Sequence, residues 1–179
     1  MKKALLFIDG SNLYGDWKSL DETPMDIEKF IEVVQEKFTE YDIARTYYYC
    51  TATKVWQQEK FLRRVGYIPY VEVRAGGTKT RRITHNDEVI TSTVDQGTDV
   101  NLAVDMVYHA LKGHCDAVIL VSRDSDFSGA VQLVKNEGVA VELCLLEDKK
   151  MQAQELSQSA DRVRTIPADE YHRFYRVDY

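Results

Sequence analysis

Cysteine is scarce in this chain. Cys50, Cys115 and Cys144 are the only three in 179 residues, widely spaced, with no CxxC pair and no zinc-type cysteine–histidine spacing. That argues against a disulfide framework and leaves reduced, mostly buried thiols, as in a cytoplasmic protein. Long apolar runs are missing too. Nothing approaches the ~20 residues of a membrane span, and Met1-Lys2-Lys3 leads into an apolar run that Asp9 interrupts, too short for a signal peptide. Neither GxGxxG nor GxxxxGK[ST] occurs, so nucleotide binding by either phosphate-cradling loop is unsupported. Repeats and low-complexity tracts are absent. Positive charge is in deficit, with 23 Lys and Arg against 29 Asp and Glu and a net charge of −6. The whole molecule therefore offers no bulk attraction to nucleic acid, and any such binding must rest on a local patch.

What remains is ordinary soluble-globular composition, 44% hydrophobic and 29% charged, in a length that suits one domain over residues 1–179. The leading stretch is Ala4-Leu5-Leu6-Phe7-Ile8-Asp9-Gly10-Ser11-Asn12. Its short continuous apolar run predicts a strand buried on both faces at the centre of a parallel sheet. Asp9 then stands at the carboxyl edge of the sheet, where open α/β folds bind ligands. Asp9 capping a turn and Asn12 capping a helix is an equally good reading of these two residues taken alone.

Further along, Tyr14 to Pro24 reads as a polar turn. Asp26 to Tyr41 reads as a helix capped by Asp26, with Ile27, Phe30, Ile31, Val34 and Phe38 at helical spacing. Ile43 to Thr51 is a second strand, Thr53 to Val65 a helix, and Tyr67 to Arg74 a third strand. Ala75 to Gly97 is the least regular part, a β-hairpin or flexible arm built from Thr78 to Thr84 and Glu88 to Thr93 around His85-Asn86-Asp87. Thr98 to Lys112 is a helix with Thr98 as its cap and Gly113 as its terminator. Strand Ala117 to Ser122, helix Ser125 to Glu137, strand Val139 to Leu146 and helix Lys149 to Ser159 follow. Val163 to Ile166 reads as a last short strand, and Pro167 opens a helix to Tyr175. Alternating strands and helices predict an α/β fold, a mainly parallel sheet with helices on both faces.

Four acids are expected to meet. Asp124 and Asp126 follow the apolar strand Val118-Ile119-Leu120-Val121-Ser122 and leave the same sheet edge as Asp9. Asp99 lies in the first turn of a helix whose residues Val100, Leu102, Ala103, Val104, Met106, Val107, Ala110 and Leu111 form one arc at ~100° per residue. Asp99 falls inside that arc, where a charge needs a partner. Asp105 lies on the polar arc, as a solvated acid or one hydrogen-bonded to a neighbouring element. Carboxylates gathered in one cleft repel each other and raise each other's pKa. An all-oxygen set of this kind suits Mg2+ or Mn2+, with one or two direct carboxylates and several waters. The matching chemistry is phosphodiester hydrolysis. Asn12 is placed to orient a water or phosphate oxygen, and Ser122 and Ser125 to hydrogen-bond the acids. Ser11 adds a short polar group beside Asp9.

Three stretches together resemble the NYN domains, in the LabA-like (DUF88) branch of the PIN-like nuclease superfamily. They are Phe7-Ile8-Asp9-Gly10-Ser11-Asn12, Gly97-Thr98-Asp99-Val100 with Leu102-Ala103-Val104-Asp105-Met106, and Ile119-Leu120-Val121-Ser122-Arg123-Asp124-Ser125-Asp126-Phe127. Gly138-Val139-Ala140-Val141 also fits, so the likeness spans roughly residues 4 to 146. The resemblance implies a PIN-like Rossmannoid sandwich and metal-dependent ribonuclease chemistry. It also implies Asp9, Asp99, Asp124 and Asp126 as the catalytic and metal-binding set, with a supporting role for Asp105. Two positions depart from it. Gln96-Gly97 stands where the family often has Lys-Gly, and Arg123 replaces a usual glycine, either as a phosphate contact or pointing to solvent.

RNA as a partner needs local positive charge and stacking surface. Between Lys60 and Arg82 there are seven Lys or Arg residues and one acid, Glu72. Lys79, Arg81 and Arg82 are candidate RNA contacts beside Arg74, unless the segment is merely a solvated hairpin. Besides a ribonuclease, the pattern admits a catalytically inactive NYN-fold regulator binding RNA or a protein. A haloacid-dehalogenase-type phosphatase needs an acid two residues after the first, where Ser11 stands. Strand residues Tyr47 to Cys50 and the segment Tyr171-His172-Arg173-Phe174-Tyr175 offer a surface for a homodimer or protein partner, or pack back on their own domain.

Overall fold

The computed structural model describes residues 1–179 apart from Glu22, Thr53, Lys54, Val55, Asn86, Asp87, Gln96, Val177, Asp178 and Tyr179; at Trp56, Thr78–His85 and Glu88–Asp95 it describes the backbone. Strand β1 (Lys2–Asp9) runs into helix α1 (Gly10–Leu20). Then come α2 (Ile27–Lys37), β2 (Tyr41–Thr51), α3 (Trp56–Val65) and β3 (Val71–Gly76). The hairpin β4 (Thr78–His85) and β5 (Glu88–Asp95) precedes α4 (Thr98–Leu111). The chain continues through β6 (Ala117–Val121), a 3-10 turn at Ser125–Phe127, α5 (Ser128–Asn136) and β7 (Ala140–Leu146). A 3-10 segment at Glu147–Ala153, α6 (Gln154–Ser159), β8 (Arg162–Ile166) and a 3-10 segment at Ala168–Phe174 complete it.

Six strands form one parallel sheet in the order β3-β2-β1-β6-β7-β8. The chain builds outward from β1 to one edge and then from β6 to the other. The order therefore reverses between β1 and β6, and a crevice opens at the carboxyl ends of strands at such a point. Strand β1 is buried on both faces, as its continuous apolar run predicts. Ala4, Leu6 and Ile8 pack with α1, α2 and the C-terminal segment, while Leu5 and Phe7 pack under α4 and α5. The β4–β5 hairpin is a separate two-stranded ribbon, paired from Thr78 with Asp95 to His85 with Glu88. The expected hairpin over 75–97 is thus present, although Asn86, Asp87 and Gln96 lie outside the described residues.

The sequence predicts a polar turn from Tyr14 to Pro24, yet a helix starts directly at Gly10 and runs to Leu20. Asp9 is its cap, accepting a hydrogen bond from the Asn12 backbone N–H. Leu13 and Trp17, four residues apart, anchor its inner face at 4% and 3% exposure. The helix can begin so early because Gly10 has no side chain. A Cβ there would lie 2.4 Å from Cζ of Tyr48. Helix α4 starts as expected, but its cap is Gly97 in the left-handed conformation, φ 75°, rather than Thr98. Only a narrow stripe of α4 is covered: Leu102, Met106 and Ala110 are buried, while Val100, Val104 and Leu111 are exposed. The aromatic stretches pack inward. Tyr47, Tyr48, Tyr49, Tyr171 and Phe174 are all buried within this chain, and Trp17 meets Tyr171, Phe174 and Tyr175 edge-on or tilted. Among the described residues no helix is long and apolar enough to cross a membrane.

Candidate active site

The site is built from the ends of β1 and β6, the two strands at the reversal. Asp9, 4% exposed, is the last residue of β1. One of its carboxylate oxygens accepts from the Asn12 backbone N–H at 3.0 Å and the other from the Ser122 hydroxyl at 2.9 Å. Ser122 follows β6, is itself buried, and accepts from the Asp124 backbone N–H at 3.1 Å. Asp124 in turn accepts from the backbone N–H of Asp126 at 3.0 Å. A continuous hydrogen-bonded relay thus runs Asp9–Ser122–Asp124–Asp126 and fixes the shape of the loop after β6. Ser122, expected to support the acids, holds the first two of them together.

Burial is the main force on Asp9, pushing its carboxyl from the usual 3.8 up to about 6. The two hydrogen bonds pull it down, and the negative charges of Asp99 and Asp124 push it up again. The acids from β1, from the start of α4 and from the β6 loop are therefore close enough to feel one another. Asp124 is half-buried; Asp99 and Asp126 are exposed. That corrects the reading of Asp99 as an acid trapped in the apolar arc. The outer part of the arc faces solvent, and the carboxylate that burial makes uncomfortable is Asp9.

The donor chemistry fits a hard divalent cation, since a desolvated carboxylate flanked by two more negative groups is relieved by one. Among the described residues, however, no three Asp, Glu, His or Cys side chains are gathered closely enough to hold a single ion. Four direct carboxylate ligands are not assembled. The arrangement suits an ion held by one or two carboxylates and completed by water, the usual habit of Mg2+.

The supporting residues fall as follows. Asn12 accepts from the backbone N–H of Arg123 at 3.2 Å, tying α1 to the acid loop. Ser11 accepts from the Thr51 N–H at 3.3 Å and joins α1 to the end of β2. Asp105 accepts a 2.6 Å bond from the Tyr49 hydroxyl, so the neighbouring-element reading describes it. Burial and that bond push the Tyr49 hydroxyl pKa far up. Arg123 neither reaches freely into solvent nor stands unengaged: its Nε donates to Asp16 at 2.6 Å. Asp16, buried at 7% exposure, is the residue sequence reading missed. Its signal was its place one helical turn after Asn12, visible only once α1 is read as a helix. Lys79, Arg81 and Arg82 lie on β4, in register with Val94, Ser92 and Thr91. Gln96 lies outside the described residues.

The sequence profile of the NYN domain matches residues 3–167. No curated protein matches the chain. A crystal structure of a protein of unknown function from Vibrio parahaemolyticus is similar, with a TM-score of 0.69 and 21% identity over 98% of this chain and 96% of that one. At that identity the likeness speaks for the fold, a PIN-like Rossmannoid sandwich.

Proposed function

Because this chain belongs to the NYN domain family, a family of PIN-like nucleases, we propose that it is a divalent-metal-dependent ribonuclease of the LabA-like (DUF88) branch. It hydrolyses RNA phosphodiester bonds internally, in the cytoplasm. Superfamily members generally use divalent ions, and here Asp9 would hold Mg2+ or Mn2+ with Asp99 or Asp124, Asp126 acting through water. When bound, such an ion lowers the pKa of a water and stabilises charge on the phosphoryl oxygens.

The chain's own residues do the positioning. The Ser122 hydroxyl and the Asn12 N–H keep the two Asp9 oxygens fixed. Asn12 and Asp16 clamp Arg123, and with it the loop that carries Asp124. The guanidinium donors of Arg123 beyond that pair, and Lys79, Arg81 and Arg82 of the hairpin, supply the positive charge that an RNA backbone needs. The observation that carries this reading is the buried Asp9 carboxylate, held at both oxygens and pressed by Asp99 and Asp124.

The test is incubation of wild type and Asp9→Asn with labelled single-stranded RNA, with and without Mn2+ or Mg2+. Cleavage that requires the ion and disappears in the variant is the expected result. A second reading, an inactive NYN-fold regulator binding RNA or protein, is favoured by two features. The ligands are loosely grouped, and Arg123 is committed to Asp16. Binding of RNA without cleavage by wild type would establish that alternative.

A further inference from the structure

Beside the acids lies a groove with a separate set of polar groups. In the parallel register Asp9 sits opposite Tyr49, and Tyr49 opposite Arg74. The three stand side by side on adjacent strands, ~4.8 Å apart from one to the next. The groove continues this row beyond Asp9, between α4 and the β2–β3 edge. It encloses about 470 Å³ and is lined by Tyr49, Arg74, Ala75, Asn101, Val104 and Asp105, among others. That volume is in the range of small-ligand sites.

The polar groups are unevenly used. Asp105 spends Oδ2 on the Tyr49 hydroxyl. Its Oδ1 and the side-chain amide of Asn101 hydrogen-bond to no described residue. Arg74 forms an ion pair with Glu72, N to O 2.7 Å, and lies 5.9 Å from the Tyr47 ring centroid, with further guanidinium donors left along the groove. Tyr49 forms a rigid floor at 1% exposure, whereas Val104 is 58% exposed and gives an apolar wall.

The geometry points to this groove as a guanine-binding subsite, seating the base of a nucleotide next to the phosphate that is cut. A carboxylate only accepts hydrogen bonds, and of the four RNA bases guanine alone presents two adjacent donors, N1–H and N2–H, on its pairing edge. Adenine and cytosine set an acceptor beside their amino group, and uracil sets its one N–H between two acceptors. The Asn101 amide and Arg74 supply donors for guanine O6. The Tyr49 hydroxyl keeps the Asp105 carboxylate aimed while the base binds. The inference rests on the reading of the chain as a ribonuclease for its biological setting, but not for its measurement.

Binding of 5′-GMP, IMP, AMP, CMP and UMP to wild type is followed by NMR chemical-shift titration, without RNA and without cleavage. GMP should bind at least tenfold more tightly than AMP, with IMP, which lacks the N2 amino group, between them. Shifts should centre on Asn101 and Asp105. Asp105→Asn keeps an acceptor for the Tyr49 hydroxyl but turns a donor to the base, so the preference for GMP should collapse. Val104→Trp, at an exposed position, should block all five by filling the groove. Equal affinity for GMP and AMP, no binding at all, or an unchanged GMP preference in Asp105→Asn would overturn the subsite. RNA cleaved by wild type without regard to guanine, alongside equal GMP and AMP binding, would leave the nuclease reading standing and remove this one. Guanine-selective binding without any cleavage would do the reverse.

Discussion

Asp9 carries two roles that a sequence cannot separate, helix cap and buried acid, and the structure gives it both. Its cost is visible in pH. The displacement from 3.8 to about 6 corresponds to about 3 kcal/mol against the folded state once the group is ionised. Above pH 6 that penalty is complete. As pH falls from 6 to 3.8 the folded protein takes up the proton first and the penalty is relieved. Asp9→Asn, still a good cap, should therefore raise the unfolding free energy of metal-free protein by up to about 3 kcal/mol at pH 8. The gain should vanish below pH 3.8, as chemical denaturation across pH would reveal. Gly10 is the second residue with a sharp expectation. A methyl there meets Cζ, Cε1 and the hydroxyl of Tyr48 at 2.4–2.6 Å, and Tyr48 is buried at 3% exposure. Gly10→Ala should lose about 1–3 kcal/mol in the same measurement.

At the scale of elements, strands were legible and their partners were not. The run Leu5 to Ile8 announced a doubly buried strand, and Val118 to Val121 did the same, because only a central parallel strand is apolar on both faces. Helix α1 was hidden. Its outward positions, Tyr14, Gly15, Lys18 and Ser19, read as a loop, and its inner face rests on just Leu13 and Trp17. What stabilises it is tertiary: the cap from Asp9, the space above Gly10 and the aromatic contacts of Trp17. Asp16 and its bond to Arg123 were unreadable for the same reason. The edge strand β8 is likewise held by a buried acid from its neighbour β7. Glu142, 4% exposed, accepts from the Tyr41 hydroxyl at 2.6 Å and from Arg164 Nε at 3.0 Å. Arg164 also bonds Glu40 and the Lys37 carbonyl and lies 4.5 Å from the Phe38 ring centroid. Arg164→Met leaves Glu142 short of its cation and should cost about 3 kcal/mol or more in thermal or urea unfolding. Adding Glu142→Gln should recover part of that loss.

For the whole molecule, the four acids named from sequence come from three separated segments, which the strand order delivers to one edge. Asp9 and Ser122 stand on the adjacent strand ends where the sheet reverses direction, so the position of the site follows from topology. How tightly the side chains gather does not follow from topology, and among the described residues no three Asp, Glu, His or Cys side chains close around one point. Charge is distributed in a similarly uneven way. A molecule of net charge −6 carries Lys79, Arg81 and Arg82 on one ribbon that lies between β3 and α4 in the chain. With Arg81→Glu and Arg82→Glu together, RNA affinity should fall, and the dependence of log affinity on log salt should flatten by about two charges. An unchanged slope in fluorescence anisotropy would remove the hairpin from the RNA path.

The central claim is that Asp9 and its neighbours form a cation site, and Mn2+ binding measured calorimetrically at pH 7.5 tests it without any substrate. The account predicts saturable binding in wild type, weakened at least tenfold by Asp9→Asn and declining in wild type as pH drops below 6. Equal Mn2+ binding by wild type and Asp9→Asn, or none by either, would contradict it.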